Sequence, residues 1–178
     1  MAYIDTIDID DAEGIVKEEY RKGIKRSGKV YNILKIMSRS PLALKESMRL
    51  YLAIMFGESE LSRGQREMLA TVVSQSNYCH YRIEAHSDDF RDEVGDSELA
   101  NHLKHDWHNA KLSDQDKVLC TLAEKLTLPP SETNLNDIRH LERRGLSQEA
   151  ISDAVQVIGY FNYINRVAEG LGVDLEKE

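Results

Sequence analysis

The sequence predicts an all-α protein, and three observations carry that prediction. Apolar residues recur at helical spacing in almost every segment, and alternating β-type runs are missing. Proline occurs only at positions 41, 129 and 130, where helices would start or stop. With 178 residues, 41% hydrophobic and 30% charged, the chain suits a single helical domain, 1–178, with its own core.

The elements follow in order. Residues 11–24 are a polar, charged first helix, and "VYNILKIM" is a short apolar segment. Ser40 caps a helix that begins at Pro41. Leu44, Met48, Tyr51, Leu52 and Met55 form its inward face, and Gly57 ends it. In "LSRGQ", Ser62 and Gln65 fit a capping box. The helix they open points Met68, Leu69, Val72 and Val73 inward and runs to about Asn77. Further helices are predicted over 79–90 and 97–106. Ser113 and Asp116 open the next, with Val118, Leu119, Leu122, Ala123 and Leu126 along one side. Pro129 and Pro130 stop it. A helix over 134–144 ends at Gly145, and Ser147 caps a last long one reaching about Ala168. That helix reads as apolar on most of its circumference, as in a helix central to the fold or buried by another subunit. Gly170 and Gly172 read as its stop.

Charge and segments narrow the function. The net charge of −8 argues against a nucleic-acid partner, which needs clustered Lys and Arg. No apolar run is long enough to cross a membrane, and the start carries no secretory pattern. Two cysteines make no disulfide scaffold, so a reduced cytoplasmic protein is expected.

The chemistry concentrates in "NYCHYRIEAH", residues 77–86. On one helix, Cys79 and His86 lie roughly 10 Å apart along the axis, too far to touch. Position 82 is three residues after Cys79 and four before His86, so its side chain reaches either. A thiol there would complete a C-x-x-C with His86 as its base; this chain has Arg82. Glu67 and His86 read either as a proton relay or as a buried structural pair. Cys120, the other thiol, reads as a core residue on the polar edge of its helix. His102, His105 and His108 drift by about 60° per step around a helix and do not converge on a metal. Asn162, Asn165 and Arg166 read as polar bridges between helices or subunits.

"REMLATVVSQSNYCHYRIEAH" resembles the core motif of the alkylhydroperoxidase D and carboxymuconolactone decarboxylase superfamily: a Glu, twelve residues later C-x-x-C, and a His four beyond the second Cys. Glu67, Cys79 and His86 fall on matching positions, within a core of about 62–90. "VYNILKIMSRSPLAL" and "VIGYFNYINRVAEGLGV" resemble its peroxidase-related branch, the latter marking a C-terminal signature over about 155–174. The resemblance implies an alkylhydroperoxidase D-like helical fold and a homo-oligomer. It also implies a cysteine pair that reduces hydroperoxides, with Glu and His relaying protons and a dithiol donor recycling the pair. In the family the second cysteine attacks peroxide and the first resolves it. This chain keeps the resolving position, Cys79, and has Arg82 at the attacking one.

The expected site is therefore Cys79, Glu67 and His86 as the catalytic set, with Arg82 and Tyr81 stabilising a substrate or thiolate. No cofactor and no metal are expected. Arg82 and the helix N-terminus both favour a thiolate, so Cys79 is expected to be more acidic than an ordinary thiol and to react ahead of Cys120. Two other classes remain open: a cofactor-free decarboxylase-like or anion-binding pocket using His86 and Glu67, and a catalytically silent oligomer.

Overall fold

Helix-forming sequence bounded by caps produces helices throughout the described residues, 2–176, of the computed structural model, and no strand occurs among them. There are nine α-helices in this stretch: α1 Gly14–Ser27, α2 Asn32–Ile36, α3 Pro41–Phe56, α4 Arg63–Ser76, α5 His80–Val94, α6 Ser97–His105, α7 Asp114–Thr127, α8 Leu135–Arg143 and α9 Gln148–Leu171. The chain divides into two compact units, 1–53 with 166–178, and 54–165.

In the first unit, α1 buries Val16 and Tyr20, and the loop and α2 bury Val30, Ile33, Leu34 and Ile36. The Tyr20 hydroxyl donates to the Ile7 carbonyl (2.8 Å), and the Ile7 N–H donates to Ser38 Oγ (2.9 Å), which ties the N-terminal segment down. The first helix begins and ends three residues later than the sequence reading placed it, because Gly28 takes the left-handed position (φ +75°) that ends it. On α3, Leu44 and Met48 are buried, but Leu52 is 37% exposed, against expectation. At 100° per residue it lies about 80° from Leu44, at the margin of the inward stripe.

In the second unit, α4 is the central helix and packs against α5, α6 and α7. The expected capping box is present: Gln65 N–H donates to Ser62 Oγ, and Ser62 N–H donates to the Gln65 side chain. Such a cap typically stabilises a helix by ~1 kcal/mol. Met68, Leu69, Val72 and Val73 are all buried, as their spacing requires. α5 runs past its expected end to Val94, where Gly95 supplies φ +68°.

Within this unit α9 buries Ala154, Val157, Ile158, Phe161 and Ile164. It leaves Ser152, Gln156, Gly159 and Tyr163 exposed, while Val155 and Val167, also read as apolar face, are half-buried. Two asparagines bridge helices as expected: half-buried Asn162 donates to Thr127 Oγ1 (2.9 Å), and buried Asn165 donates to Ser74 Oγ (3.2 Å). The helix runs to Leu171. Gly170 lies inside its last turn, and Gly172, at φ +68°, is the stop.

Candidate functional site

The turn joining α4 to α5 sets the site. Cys79 N–H donates to the Ser74 carbonyl and Tyr78 N–H to that of Gln75, the pattern of a helix end that needs a left-handed residue. Tyr78 fills that place at φ +55°, where glycine is usual, and its side chain is 86% exposed. One residue on, Cys79 is the N-cap of α5 and is wholly buried.

Glu67 projects from the fully buried stretch of α4 and is itself 0% exposed. A buried carboxylate needs charge partners and hydrogen bonds, and two helices supply them. Arg63, one turn earlier on α4, pairs through Nη2 with Glu67 Oε1. Its Nη1 donates to the Met55 carbonyl (2.7 Å), and its guanidinium lies over the Phe56 ring (3.9 Å). From α5, His86 Nδ1 meets Glu67 Oε2 at 2.6 Å.

The other His86 nitrogen fixes the tautomer. Arg82 Nη1 lies 3.2 Å from His86 Nε2. A guanidinium has only donors, so Nε2 must accept, and the imidazole proton sits on Nδ1 and is donated to Glu67. The edge contact of Phe161 from α9 (4.6 Å between ring centres, planes at 85°) packs the imidazole. Position 82 thus reaches His86 one turn on, as its spacing requires. Arg82 is 7% exposed, and its Nε has no hydrogen-bond partner among the described residues. Tyr81 is also buried, with the Arg82 guanidinium 5.9 Å from its ring centre.

Asp89, one further turn along α5, places Oδ2 3.9 Å from His86 Nδ1. Burial, and next the nearby Glu67 charge, push its carboxyl above the ordinary aspartate value. Yet 52% of its side chain meets solvent, so the shift is screened. Glu67, His86 and Asp89 could together offer ligands to a metal ion, with ligand atoms within 4.8 Å of one another. Arg63 on Glu67 and Arg82 on His86 already supply two positive charges to this cluster, so a dication would add charge that the carboxylates do not balance. A proton is the cation that the geometry accommodates.

The remaining candidates lie elsewhere. Cys120 is wholly buried in α7, deeper than its place at the polar edge implied. Burial first, then Asp116 and Glu124, push its thiol far above the ordinary value. Neither cysteine is in a disulfide. His102 lies beside Glu98, and His108 beside Asp106 and Glu124. A surface cavity of about 200 Å³ is lined by Tyr78, Asp106, His108 and Glu124 among others, and one of about 600 Å³ lies among residues of the first unit; neither is lined by Glu67, Cys79, Arg82 or His86. Arg63, Asp89 and Phe161 were not read as site residues from sequence. Arg63 and Asp89 were findable, standing at i−4 from Glu67 and i+3 from His86.

A model of the carboxymuconolactone decarboxylase family matches residues 41–100, which include Glu67, Cys79, Arg82 and His86. The uncharacterized protein YdfG of Bacillus subtilis (strain 168) is 30% identical over 116 residues, spanning 65% of this chain and 78% of its own. An uncharacterized peroxidase-related protein from Silicibacter sp. TM1040 is 30% identical, with a TM-score of 0.86 over 96% of this chain and 92% of its own. The chain belongs to the carboxymuconolactone decarboxylase family. Its fold extends to proteins of lower identity. An uncharacterized peroxidase-related protein from Ralstonia eutropha JMP134, described as an alkylhydroperoxidase AhpD core, superposes with a TM-score of 0.92 at 19% identity, over 99% of this chain and 93% of its own. A cysteine-to-alanine variant of the debrominase Bmp8, in complex with 2,3,4-tribromopyrrole, does so at 0.82 and 14% identity, over 98% and 91%. The carboxymuconolactone decarboxylase family fold therefore carries more than one chemistry. Among the described residues no helix is long and apolar enough to cross a membrane.

Proposed function

We propose that the protein is a one-thiol oxidoreductase of the alkylhydroperoxidase type, in which Cys79 reduces a small hydroperoxide. The observation that carries this is the buried chain Arg63–Glu67–His86–Arg82, which ends one helical turn from Cys79. Arg82 stays charged, and the imidazole it meets is neutral, so that contact gives the buried guanidinium no anion. A Cys79 thiolate supplies one, and the N-terminus of α5 favours it further.

The steps balance. When Arg82 swings from His86 toward sulfur, Nε2 is exposed and takes the thiol proton. Glu67 at Nδ1–H stabilises the imidazolium. The thiolate attacks the distal peroxide oxygen, the O–O bond breaks, and Nε2 returns its proton to the leaving alkoxide as the alcohol. Sulfur ends as a sulfenic acid. A dithiol donor then restores the thiol, becoming a disulfide and releasing water. Because Cys79 is wholly buried, the Asn77–Tyr78 turn must open to admit substrate.

A second reading rests on the unpartnered Arg82 Nε: a carboxylate ligand would accept from it and from the adjoining amino group. The two readings part at Cys79. Peroxide consumption with a dithiol donor should vanish in Cys79→Ser and persist in Cys120→Ser. Arg82→Cys, which completes the C-x-x-C, should raise turnover by about tenfold or more. Carboxylate binding that survives Cys79→Ser, with no peroxide consumed by the unaltered protein, favours the ligand site. Homo-oligomerisation is part of the proposal. Leu42, Leu50 and Leu52 of α3 are exposed apolar residues that a second subunit would cover, and light scattering that returns the 20.3 kDa monomer mass would remove it.

A further inference from the structure

Glu67 and His86 are sealed: they are 0% and 2% exposed, and neither has its own route to water. In the peroxidase cycle His86 hands its proton on to the alcohol, so the resting protonation of the sealed pair is set only by exchange with water. Arg63 closes one side of Glu67 and Arg82 closes the far nitrogen of His86, and neither guanidinium gives up its charge at working pH to act as a proton acceptor. Among the described residues, one titratable group bridges the sealed pair and solvent. Asp89 has Oδ2 3.9 Å from His86 Nδ1, while half of its side chain faces water.

We propose that Asp89 is a positioning residue of the relay, through which the buried Glu67–His86 pair exchanges protons with water. This rests on the reading of that pair as a working relay. The 3.9 Å gap is an ion-pair distance, longer than a hydrogen bond, and a rotation of the half-exposed carboxyl or one bridging water closes it. In the imidazolium state, Asp89 takes the Nδ1 proton as a carboxylic acid, trades it with water and hands one back to Nδ1, so the proton is exchanged and the Nδ1–H tautomer is kept. Glu67 is the nearer acceptor, but a proton taken there stays enclosed. The groups facing Asp89 suit the task. Glu67 and Asp92 make its proton easier to hold, while Arg63 and His86 make it easier to release, which keeps it exchangeable.

The test reads the exchange itself, not turnover, so it stands or falls apart from the peroxidase proposal. In the full chain, ¹⁵N-labelled at histidine, NMR measures how fast the His86 Nδ1–H proton exchanges with water across pH. Asp89→Asn should slow exchange by about tenfold or more and flatten its pH dependence. The Nδ1–H chemical shift, which reports the bond to Glu67, should stay in place. Asp89→Glu should restore the rate. Exchange at the original rate in Asp89→Asn overturns the proposal, and so does a slowed rate accompanied by a moved Nδ1–H shift, which marks a structural role only.

Discussion

Cys79 and Cys120 are equally hidden, each 0% exposed, yet they stand at different places in their helices. Cys79 is the N-cap of α5, where the helix end favours an anion, with Arg82 in the first turn. Cys120 sits mid-helix in α7 between Asp116 and Glu124, one turn to either side, and burial with these acids holds its proton on. Burial alone therefore does not make a thiol inert. What differs along the helix is the charge one turn away: Arg82 for Cys79, Asp116 and Glu124 for Cys120.

The largest expected effect tests that contrast directly. With iodoacetamide at pH 7, Cys79 should be alkylated roughly 100-fold faster than Cys120, followed by peptide mass spectrometry. Equal rates, or labelling of both only on unfolding, would break the comparison. The next effect is on stability. Glu67→Gln leaves Arg63 facing an amide and His86 without its carboxylate, so urea unfolding should show a loss of about 3 kcal/mol. Beside Cys120, Glu124→Gln removes a partly exposed acid and should cost less than about 1 kcal/mol. Similar losses at both positions would mean that the charges around Cys79 are solvated after all.

The fold was legible because its signals are local. The Ser62–Gln65 box, the stripes of α4 and the bounding prolines each specify a helix without help from distant residues. The Glu67–His86 contact was legible through the family motif, which sets the two residues on consecutive helices. Phe161 was not: it reaches His86 from α9, and nothing near it in sequence marks that contact. Cys120 was read as a core residue at the polar edge of its helix because it stands outside the Val118, Leu119, Leu122, Ala123 and Leu126 stripe, but helix rotation leaves it within about 60° of Ala123, on the buried side. The apolar residues from which α9 was read, Ala154, Val155, Val157, Ile158, Tyr160, Phe161, Ile164 and Val167, are all buried or half-buried; its exposed stripe falls on the positions between them.

Strain separates the two cysteines as well. Tyr78, directly before Cys79, holds φ +55°, whereas Cys120 lies in regular helix. A side chain in that backbone region costs about 1 kcal/mol, and the exposed ring offsets little of it. Tyr78→Gly should raise stability by roughly 1 kcal/mol in urea titration. If opening of this turn admits substrate, the same variant should slow Cys79 alkylation while leaving Cys120 unchanged. A destabilised Tyr78→Gly would show that the ring has contacts worth more than the strain.

The smallest effect concerns Asp89 and has a definite sign. Its carboxyl is held above the ordinary aspartate value, by burial first and Glu67 second, so the native state binds this proton more tightly than the unfolded chain does. Its contribution to stability therefore falls as pH rises from the ordinary value near 3.9 through the raised native value, and is constant above it. Asp89→Asn, which carries no charge, should be the more stable protein at pH 7. With half the side chain in water, the gain should be no more than about 0.5 kcal/mol. Below the ordinary aspartate value the two proteins should converge, because both then carry a neutral side chain. Thermal unfolding of the pair from pH 3 to 8 measures the difference. An Asp89→Asn protein that is less stable at pH 7 would mean that Asp89 is held by attraction to Arg63 or an imidazolium at His86. The electrostatics on the Cys79 side would then be the reverse of those that set it apart from Cys120.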